Sequence, residues 1–252
     1  MSKSLIKEQF GANAAAYVTS KPHARGASLG RLVELLKPQP QWQMLDIATA
    51  AGHTAFVLAP HVAHVWATDI TPEMLALAQQ QAQERGLANV TVETADAEAL
   101  PYDEASFDLV TCRIAPHHFG DIALFVREAV RVLRPGGILA VVDNIVPPGA
   151  AGDYVNAFEK LRDPSHGRCL TLDEWLEIYQ TSGLTSVQYE TLTKQMEFEK
   201  WAARHDTSMQ RFLLAMLSEM KGEAAAFLQP AFSAQGTTFS LQEAVLIGQR
   251  PA

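Results

Sequence analysis

Cysteine, net positive charge and long apolar runs are all scarce in this sequence of 252 residues. Its two cysteines, Cys112 and Cys169, are too few for a disulfide framework or a multi-cysteine zinc site. The formal net charge is -8, and residues 1–150 and 151–252 each carry half of it, so neither part offers a basic surface to nucleic acid. The longest apolar stretches, such as residues 138–142, are far too short to span a bilayer.

A secretory signal is also missing from the first residues, which carry Lys3, Lys7 and Glu8 in place of an unbroken apolar segment. We therefore expect a cytoplasmic protein, a monomer or a homodimer, without a nucleic-acid or membrane partner. Two nucleotide-binding motifs are absent as well. These are the G-x-G-x-x-G turn of NAD-binding proteins and the G-x-x-x-x-G-K-[ST] loop that holds phosphates.

Short β-rich runs alternate with helical segments over residues 42–145. The β-rich runs lie at residues 44–48, 62–68, 90–94, 107–114 and 138–143. Between them, residues 71–85 have a helical pattern that Thr71 caps and Gly86 ends, and residues 121–133 have a second one that stops before Pro135. This order predicts an α/β fold, a Rossmann-like, doubly wound and mostly parallel sheet with helices on both faces.

The residues on either side of this block add helices and two strands. Residues 1–37 predict two helices. The later segments predict helices at residues 153–161, 172–182 and 197–228, and strands at residues 185–193 and 238–247. We expect one domain over residues 1–252, with an N-terminal helical leader (1–37), a cofactor-binding core (38–146), a substrate-lid region with one core strand (147–235) and a final strand (236–252).

Acidic side chains lie at or just after the ends of three predicted strands. They are Asp46, Asp69 and Asp96, and two histidines, His117 and His118, follow the fourth strand. In an open parallel sheet, ligands bind beyond the carboxyl ends of the strands, so we expect these side chains to face one ligand. Three carboxylates suit a cation or a hydroxyl-rich molecule and repel a phosphate.

Four segments of this block occur in order: MLDIATAAGHTA, WATDITPEMLALA, ETADAEALPYDEASFDLVTCRIAPHHF and FVREAVRVLRPGGILAVVD. Together they resemble the class I S-adenosylmethionine-dependent methyltransferases, above all the small-molecule branch with the ubiquinone/menaquinone-type C-methyltransferases. The resemblance covers residues 45–143. It implies an enzyme that transfers a methyl group from S-adenosylmethionine to a small-molecule acceptor by in-line displacement, under a helical lid.

The resemblance also implies how this cofactor would be held. Asp69 would accept hydrogen bonds from both ribose hydroxyls, the alternative being a second N-cap for the helix that follows Thr71. Asp96 would accept from the adenine amine, with the backbone N–H of Ala97 offered to the ring, the alternative being a solvated turn. Apolar contacts to the adenine and the ribose would come from Ile70, Ile114 and Met74, for each of which the alternative is a place in the core.

The turn after the first strand would bind the amino-acid end of the cofactor. Asp46 would hold the ammonium, directly or through water, and backbone N–H groups near Gly52 would take the carboxylate. Resembling proteins usually have glycines where this chain has Ala48, Ala50 and Ala51. Alanine in a left-handed conformation costs about 1 kcal/mol, and its methyl group could crowd the methionine moiety. A second hypothesis is therefore a non-catalytic or regulatory protein that keeps the fold and the ligand.

A catalytic base is needed only if the methyl acceptor must lose a proton. His117 is the candidate base, with a structural role as the alternative, and we expect His118 not to face the same cleft, because adjacent side chains on a regular element point apart. Tyr17 in the leader could fold its ring over the positive sulfur. No metal is expected, because neither an H-E-x-x-H motif nor a cysteine cluster is present. A third hypothesis, a nicotinamide-dependent oxidoreductase, lacks its glycine turn.

Overall fold

A computed structural model describes the backbone of residues 3–19 and 27–252 and the side chains of residues 3–11 and 28–252. The helices are α1 (Lys3–Thr19), α2 (Ala27–Leu36), α3 (His53–Leu58), α4 (Pro72–Glu84), α5 (Ile122–Val132), α6 (Gly149–Arg162), α7 (Leu172–Thr181), α8 (Phe198–Trp201), α9 (Thr207–Glu219) and α10 (Gly222–Leu228). The strands are β1 (Gln43–Ile47), β2 (His64–Asp69), β3 (Val90–Thr94), β4 (Phe107–Arg113), β5 (Leu133–Ile145), β6 (Thr185–Glu197), β7 (Ala231–Ser233) and β8 (Gly236–Gln249).

Within the described residues the strands form one eight-stranded sheet in the order β3-β2-β1-β4-β5-β8-β6, and β7 pairs with β8. The first five strands in this order, β3, β2, β1, β4 and β5, are parallel to one another, whereas β8 is antiparallel to both β5 and β6. The order of the strands reverses between β1 and β4, so a crevice opens at the carboxyl ends of these two strands. The predicted fold class is confirmed.

Three apolar clusters hold the layers together. One face of the sheet packs against α5 and α7, where Phe125 and Trp175 are fully buried. The other face packs against α2, α3 and α4, with Leu32 at its centre. A third cluster joins α6, α8, α9 and α10 around the stacked rings of Phe158 and Trp201. The helices of this third cluster, which we call the lid, therefore have a small core of their own.

Two helices begin as the sequence predicts, and each start is fixed by a carboxylate. At α4 the residue before the helix is Thr71, but its side chain makes no cap, and the carboxylate of Asp69 accepts the hydrogen bond from the Thr71 N–H. At α5 the Asp121 side chain accepts a hydrogen bond from the N–H of Leu124. The start of α4 is therefore tied directly to the end of β2.

The fifth strand begins earlier than predicted. It starts at Leu133 and runs through the residues that were expected only to stop α5. The reason lies at the other end of the chain, because Arg250 exchanges backbone hydrogen bonds with Gly136 and Gly137, and its guanidinium donates to the carbonyl of Leu133. A contact between residues over a hundred positions apart leaves no local pattern in the sequence.

The segment between β5 and β8 differs from the expected lid in two ways. Helix α7 packs Trp175 and Tyr179 into the cluster under the sheet, so it is not part of the lid. The helical stretch expected over residues 197–228 is divided into α8, α9 and α10, and the short strand β7 follows it. The lid thus consists of one helix before β6 and three after it.

Candidate functional site

A cavity of about 830 Å³ lies at the carboxyl ends of the parallel strands. Its size is that of pockets that bind small organic molecules. One wall comes from α1, one from the loops after β1, β2, β3 and β4, and one from the lid and β6. The lining residues include Lys3, Phe10, Asp46, Ala48, Ala50, Asp69, Ile70, Asp96, Ala97, Ile114, His117, His118, Glu159, Arg162, His166, Lys194 and Trp201.

The carboxylate of Asp69 is held in place before any ligand binds. Its Oδ1 accepts a hydrogen bond from the N–H of Thr71 at 2.9 Å, and its Oδ2 accepts one from the N–H of Ala50 at 3.0 Å. The side chain is 8% exposed, and burial raises its pKa. A carboxylate oxygen can accept more than one hydrogen bond, so the hydroxyl groups of a ligand could also donate to this side chain, which lines the cavity.

Asp46 lies deeper, at the end of β1, and is 1% exposed. The hydroxyl of Thr111 donates to its Oδ1 and the hydroxyl of Thr49 to its Oδ2, both at 2.6 Å. Burial raises the pKa of Asp46 to about 6, although these hydrogen bonds and the charge of Arg113 act in the opposite direction. The carboxylate therefore changes its charge in the weakly acidic range.

The turn after β1 keeps a glycine-like backbone although it contains alanines. Ala48 and Ala50 have φ angles of 53° and 48°, and both line the cavity. Gly52 also has a positive φ, 85°, but it does not line the cavity. A Cβ on Gly52 would lie 2.1 Å from the ring of Phe56, so this glycine is required by packing within α3.

The other residues expected to contact the cofactor do not all line the cavity. Ile70, Asp96, Ala97 and Ile114 line the cavity. Met74 does not, because the first turn of α4 directs it into the interior, where it is 1% exposed. The expected sulfur contact of Tyr17 concerns a side chain outside the described residues.

An ion pair that the sequence did not reveal covers the end of β3. The Nζ atom of Lys3, from α1, lies 2.5 Å from Asp96 Oδ2 and 2.9 Å from Glu98 Oε2. These carboxylates raise the pKa of Lys3. The N-terminal helix therefore reaches across the cavity to the place where the adenine amine was expected.

Both adjacent histidines line the cavity, contrary to the expectation that only one would face it. They lie on a 3-10 turn, Pro116–His118, and not on a regular strand or helix, and their ring centroids are 4.1 Å apart. A third ring, His166, lies 5.3 Å from that of His117. The loop that carries His166 is fixed to the turn because the N–H groups of Gly167 and Arg168 both donate to the His117 carbonyl.

The three rings have different partners and therefore different pKa values. Asp143 lies beside His117 and, with Glu159, raises its pKa above the ordinary value despite the opposing effect of burial. Burial and the neighbouring His117 lower the pKa of His118. Burial together with the other two rings lowers that of His166 to about 2. His117 is thus the strongest proton acceptor of the three.

Two acidic residues of the site were missed by the sequence analysis. Asp143 follows the same rule as Asp69, an acid near the carboxyl end of a parallel strand, and that signal could have found it. Glu159 lies on α6 and its place in the cavity depends on how the lid folds, so no sequence signal marked it. It is 8% exposed, its Oε1 has no hydrogen-bond partner among the described residues, and burial raises its pKa.

Among the described side chains no group of three or more histidine, cysteine, aspartate or glutamate residues is arranged to hold a metal ion. In the same part of the chain no helix is long and apolar enough to cross a membrane.

Comparison with known proteins finds the same family at the levels of sequence and structure. A family model described as a methyltransferase domain matches residues 45–141. The uncharacterised methyltransferase YcgJ of Bacillus subtilis is 36% identical over 203 residues, 80% of each chain. Its crystal structure superposes with a TM-score of 0.85 at 31% identity, covering 89% of this chain and 98% of YcgJ.

Two further similar proteins carry more specific names. The demethylmenaquinone methyltransferase of Deinococcus radiodurans is 37% identical over 161 residues, 61% of this chain and 65% of its own length. The phosphoethanolamine N-methyltransferase 2 of Haemonchus contortus, solved with S-adenosylmethionine, has a TM-score of 0.70 at 18% identity, covering 99% of this chain and 60% of that one. At that identity the second likeness concerns the fold.

Proposed function

Because the chain belongs to the class I S-adenosylmethionine-dependent methyltransferases, we propose that it methylates a small-molecule acceptor bound between the sheet and the lid. The observation that carries this proposal is the cavity, in which the strand-end carboxylates and the lid residues line one space of about 830 Å³. A space of this size suits a nucleoside and a small organic partner together. Residues 147–235 would supply the substrate side, with α7 excepted.

The residues present fit S-adenosylmethionine. Asp69 has lone pairs for the ribose hydroxyls, and Asp96 with Ala97 would take the adenine between Ile70 and Ile114. Ala48 and Ala50 have the positive φ angles that glycine adopts readily, so the turn keeps a glycine-like backbone and the alanines support rather than weaken the assignment. Asp46 is so little exposed that we expect it to reach the ammonium through a water molecule or the Thr49 hydroxyl.

When bound, the cofactor supplies an electrophilic methyl group on a positively charged sulfur. The protein's task is to place the acceptor in line with that group, and alignment alone can account for about 7–11 kcal/mol of a barrier. The lid and α1 close the cavity from two sides, with Phe10 packed edge-on against His118 at 4.9 Å. Exclusion of water strengthens every electrostatic contact inside the site.

The relatives support a small acceptor. The Deinococcus enzyme is named for demethylmenaquinone, and another similar protein, from Amycolatopsis mediterranei, for 27-O-demethylrifamycin SV. The net charge of -8 also argues against a nucleic-acid acceptor. No finding favours the non-catalytic hypothesis, and the oligomeric state, monomer or homodimer, stays a prediction.

Two measurements test the proposal. Calorimetry should give a micromolar Kd for S-adenosylhomocysteine. Incubation with methyl-labelled S-adenosylmethionine and a metabolite extract should then move the label into the fraction that passes a 3 kDa filter. Label retained on protein or nucleic acid would contradict a small acceptor, and label that moves nowhere despite tight binding would favour the non-catalytic hypothesis.

A further inference from the structure

A buried histidine–aspartate pair lies beside the cavity, where the turn after β4 meets the end of β5. His117 Nδ1 is 2.6 Å from Asp143 Oδ1, and Asp143 Oδ2 accepts the hydrogen bond from the backbone N–H of His117 at 2.9 Å. Asp143 Oδ1 also accepts from the N–H of Asn144. A carboxylate held by two backbone donors can only accept, so His117 carries its proton on Nδ1 and Nε2 is the basic nitrogen of the ring.

The other two histidines are held as neutral hydrogen-bonding groups. His118 Nδ1 is 2.8 Å from the carbonyl oxygen of Ser165, and His166 Nε2 is 3.0 Å from the Oδ1 of Asn156. Asn156 is itself oriented, because its Oδ1 accepts from the N–H of Cys169. Both rings have pKa values far below neutrality, whereas the pKa of His117 is raised. The site is thus built to favour protonation at one ring.

Glu159 adds a buried carboxylate oxygen without a hydrogen-bond partner among the described residues. Its carboxyl is more than nine-tenths buried and lines the cavity, and its Oε1 meets no hydrogen-bond partner among the described residues. A buried polar atom normally has a partner, and its absence here is explained if a ligand supplies one. Glu159 and His117 line the same cavity.

We propose that the acceptor carries an ionisable hydroxyl group, phenolic or enolic, with His117 as its general base, Asp143 as the residue that positions His117, and Glu159 as a second contact to the same molecule. This inference rests on the proposed function. A neutral amine attacks through its own lone pair and loses a proton only after the methyl group has been transferred, whereas a hydroxyl becomes a strong nucleophile when its proton is removed beforehand. A base poised in the site therefore suits a hydroxyl better than a neutral amine.

The proton and electron balance is simple. The acceptor O–H proton passes to Nε2 of His117, which becomes an imidazolium paired with Asp143. The electron pair left on the acceptor, at oxygen or at a conjugated ring carbon, forms the new bond to the methyl carbon. When the bond forms at a ring carbon, the C–H proton of that carbon is then lost to water and the oxygen regains a proton, which restores the phenol or enol. The electrons of the broken carbon–sulfur bond stay on sulfur, and the proton leaves His117 for water after the product departs.

The first test follows the proton directly and needs no acceptor. Protein labelled with ¹⁵N-histidine, in complex with S-adenosylhomocysteine, is titrated by NMR from pH 5 to 9. His117 should titrate at Nε2 with a pKa above 6.5, and Asp143→Asn should lower that pKa by at least one unit. A His117 that titrates below pH 6, or that does not respond to Asp143→Asn, would overturn the dyad.

The second test identifies the methylated product. Methyl-labelled products from the metabolite extract are separated and assigned by mass spectrometry and NMR. Methyl ethers or ring-methylated phenols and enols are expected, and N-methyl or S-methyl products would overturn the proposed acceptor class. His117→Asn should reduce kcat at least 100-fold, and Glu159→Gln should raise KM about tenfold with a smaller change in kcat.

Matched controls separate this inference from the proposed function. His61 and Glu177 are exposed and outside the cavity, so His61→Asn and Glu177→Gln should leave kcat and KM unchanged. The Kd for S-adenosylhomocysteine should stay within twofold in all variants. If the wild type does not bind S-adenosylhomocysteine, the proposed function is wrong. If all variants bind it but His117→Asn retains full kcat, the proposed function stands and the assignment of His117 as the base is wrong.

Discussion

The carboxylate of Asp69 accepts a hydrogen bond from the backbone N–H of Ala50 at 3.0 Å and so joins the end of β2 to the turn after β1. The same carboxylate accepts a hydrogen bond from the N–H of Thr71, the residue before α4. One side chain therefore sets the relative positions of three backbone segments around the predicted cofactor site. The N-cap position of α4 is occupied by Thr71 and not by Asp69, and the ligand contact of Asp69 stays a prediction.

Replacement of Asp69 by alanine should weaken the binding of S-adenosylhomocysteine by tenfold or more. A hydrogen bond to a charged group contributes about 1.5–3 kcal/mol, and the variant also frees the turn at Ala50. Calorimetry measures the affinity, with Asp153→Ala as the control because Asp153 is exposed on α6 and outside the cavity. Unchanged affinity in Asp69→Ala would refute the assignment of this residue.

The affinity for S-adenosylhomocysteine should fall as the pH drops below about 6. Asp46 has a pKa raised by burial to about 6, so its charge is present above that pH and lost below it. The ligand's ammonium stays protonated between pH 5 and 7, so its own charge does not change. Other groups of the cavity, Asp69, His117 and Glu159, also have raised pKa values, and the Asp46→Asn variant separates their effect from that of Asp46. Calorimetry across this range should show the decrease in the wild type and a clearly smaller one in Asp46→Asn. A profile that is the same in both proteins would remove Asp46 from the binding site.

Glycine in place of Ala48 or Ala50 should leave cofactor affinity unchanged or raise it. Both alanines have left-handed φ angles, which cost about 1 kcal/mol each, and glycine relieves that strain. The greater freedom of glycine in the unfolded chain offsets the gain by about 0.5–1 kcal/mol, so the free energy of unfolding should change little. Urea denaturation and calorimetry check the two quantities. Affinity that falls threefold or more would mean that the alanine methyl groups contact the ligand.

The central sheet could be predicted from sequence because its cause is local. The inner strands are mostly apolar, the edge strand β3 is rich in valine and threonine, and the helices between the strands have a clear period. As a result β1 to β4 and α4 and α5 lie close to their predicted bounds. The strand-end acids follow from the same pattern, since each is defined by the strand before it. Asp46, Asp69 and Asp96 line one cavity, and this could be predicted without knowing how the lid folds.

The parts that sequence reasoning missed depend on contacts between distant residues. Lys3 pairs with Asp96 across 93 positions, and Glu159 enters the cavity only because the lid forms its own apolar cluster. His118 faces the cavity beside His117 because Pro116 begins a 3-10 turn. The prediction had assumed a regular element, on which adjacent side chains point apart. Met74 was assigned to the ribose by position alone, and its orientation on α4 decides otherwise.

Replacement of Trp175 by phenylalanine should cost much less stability than replacement by alanine. Trp175 is fully buried on α7, edge-on to Tyr179, and its Nε1 has no hydrogen-bond partner among the described residues. Alanine would leave a large cavity and cost about 3–5 kcal/mol. Phenylalanine has a smaller ring, which costs stability, but it also removes a buried, unsatisfied N–H, whose burial costs about 1–3 kcal/mol. These two effects on the free energy of unfolding oppose each other.

Urea denaturation gives the free energies of unfolding of both variants. Because α7 lies outside the cavity wall, the Kd for S-adenosylhomocysteine should not change in Trp175→Phe. A phenylalanine variant as unstable as the alanine variant would show that the indole N–H has a partner in solution, such as a buried water.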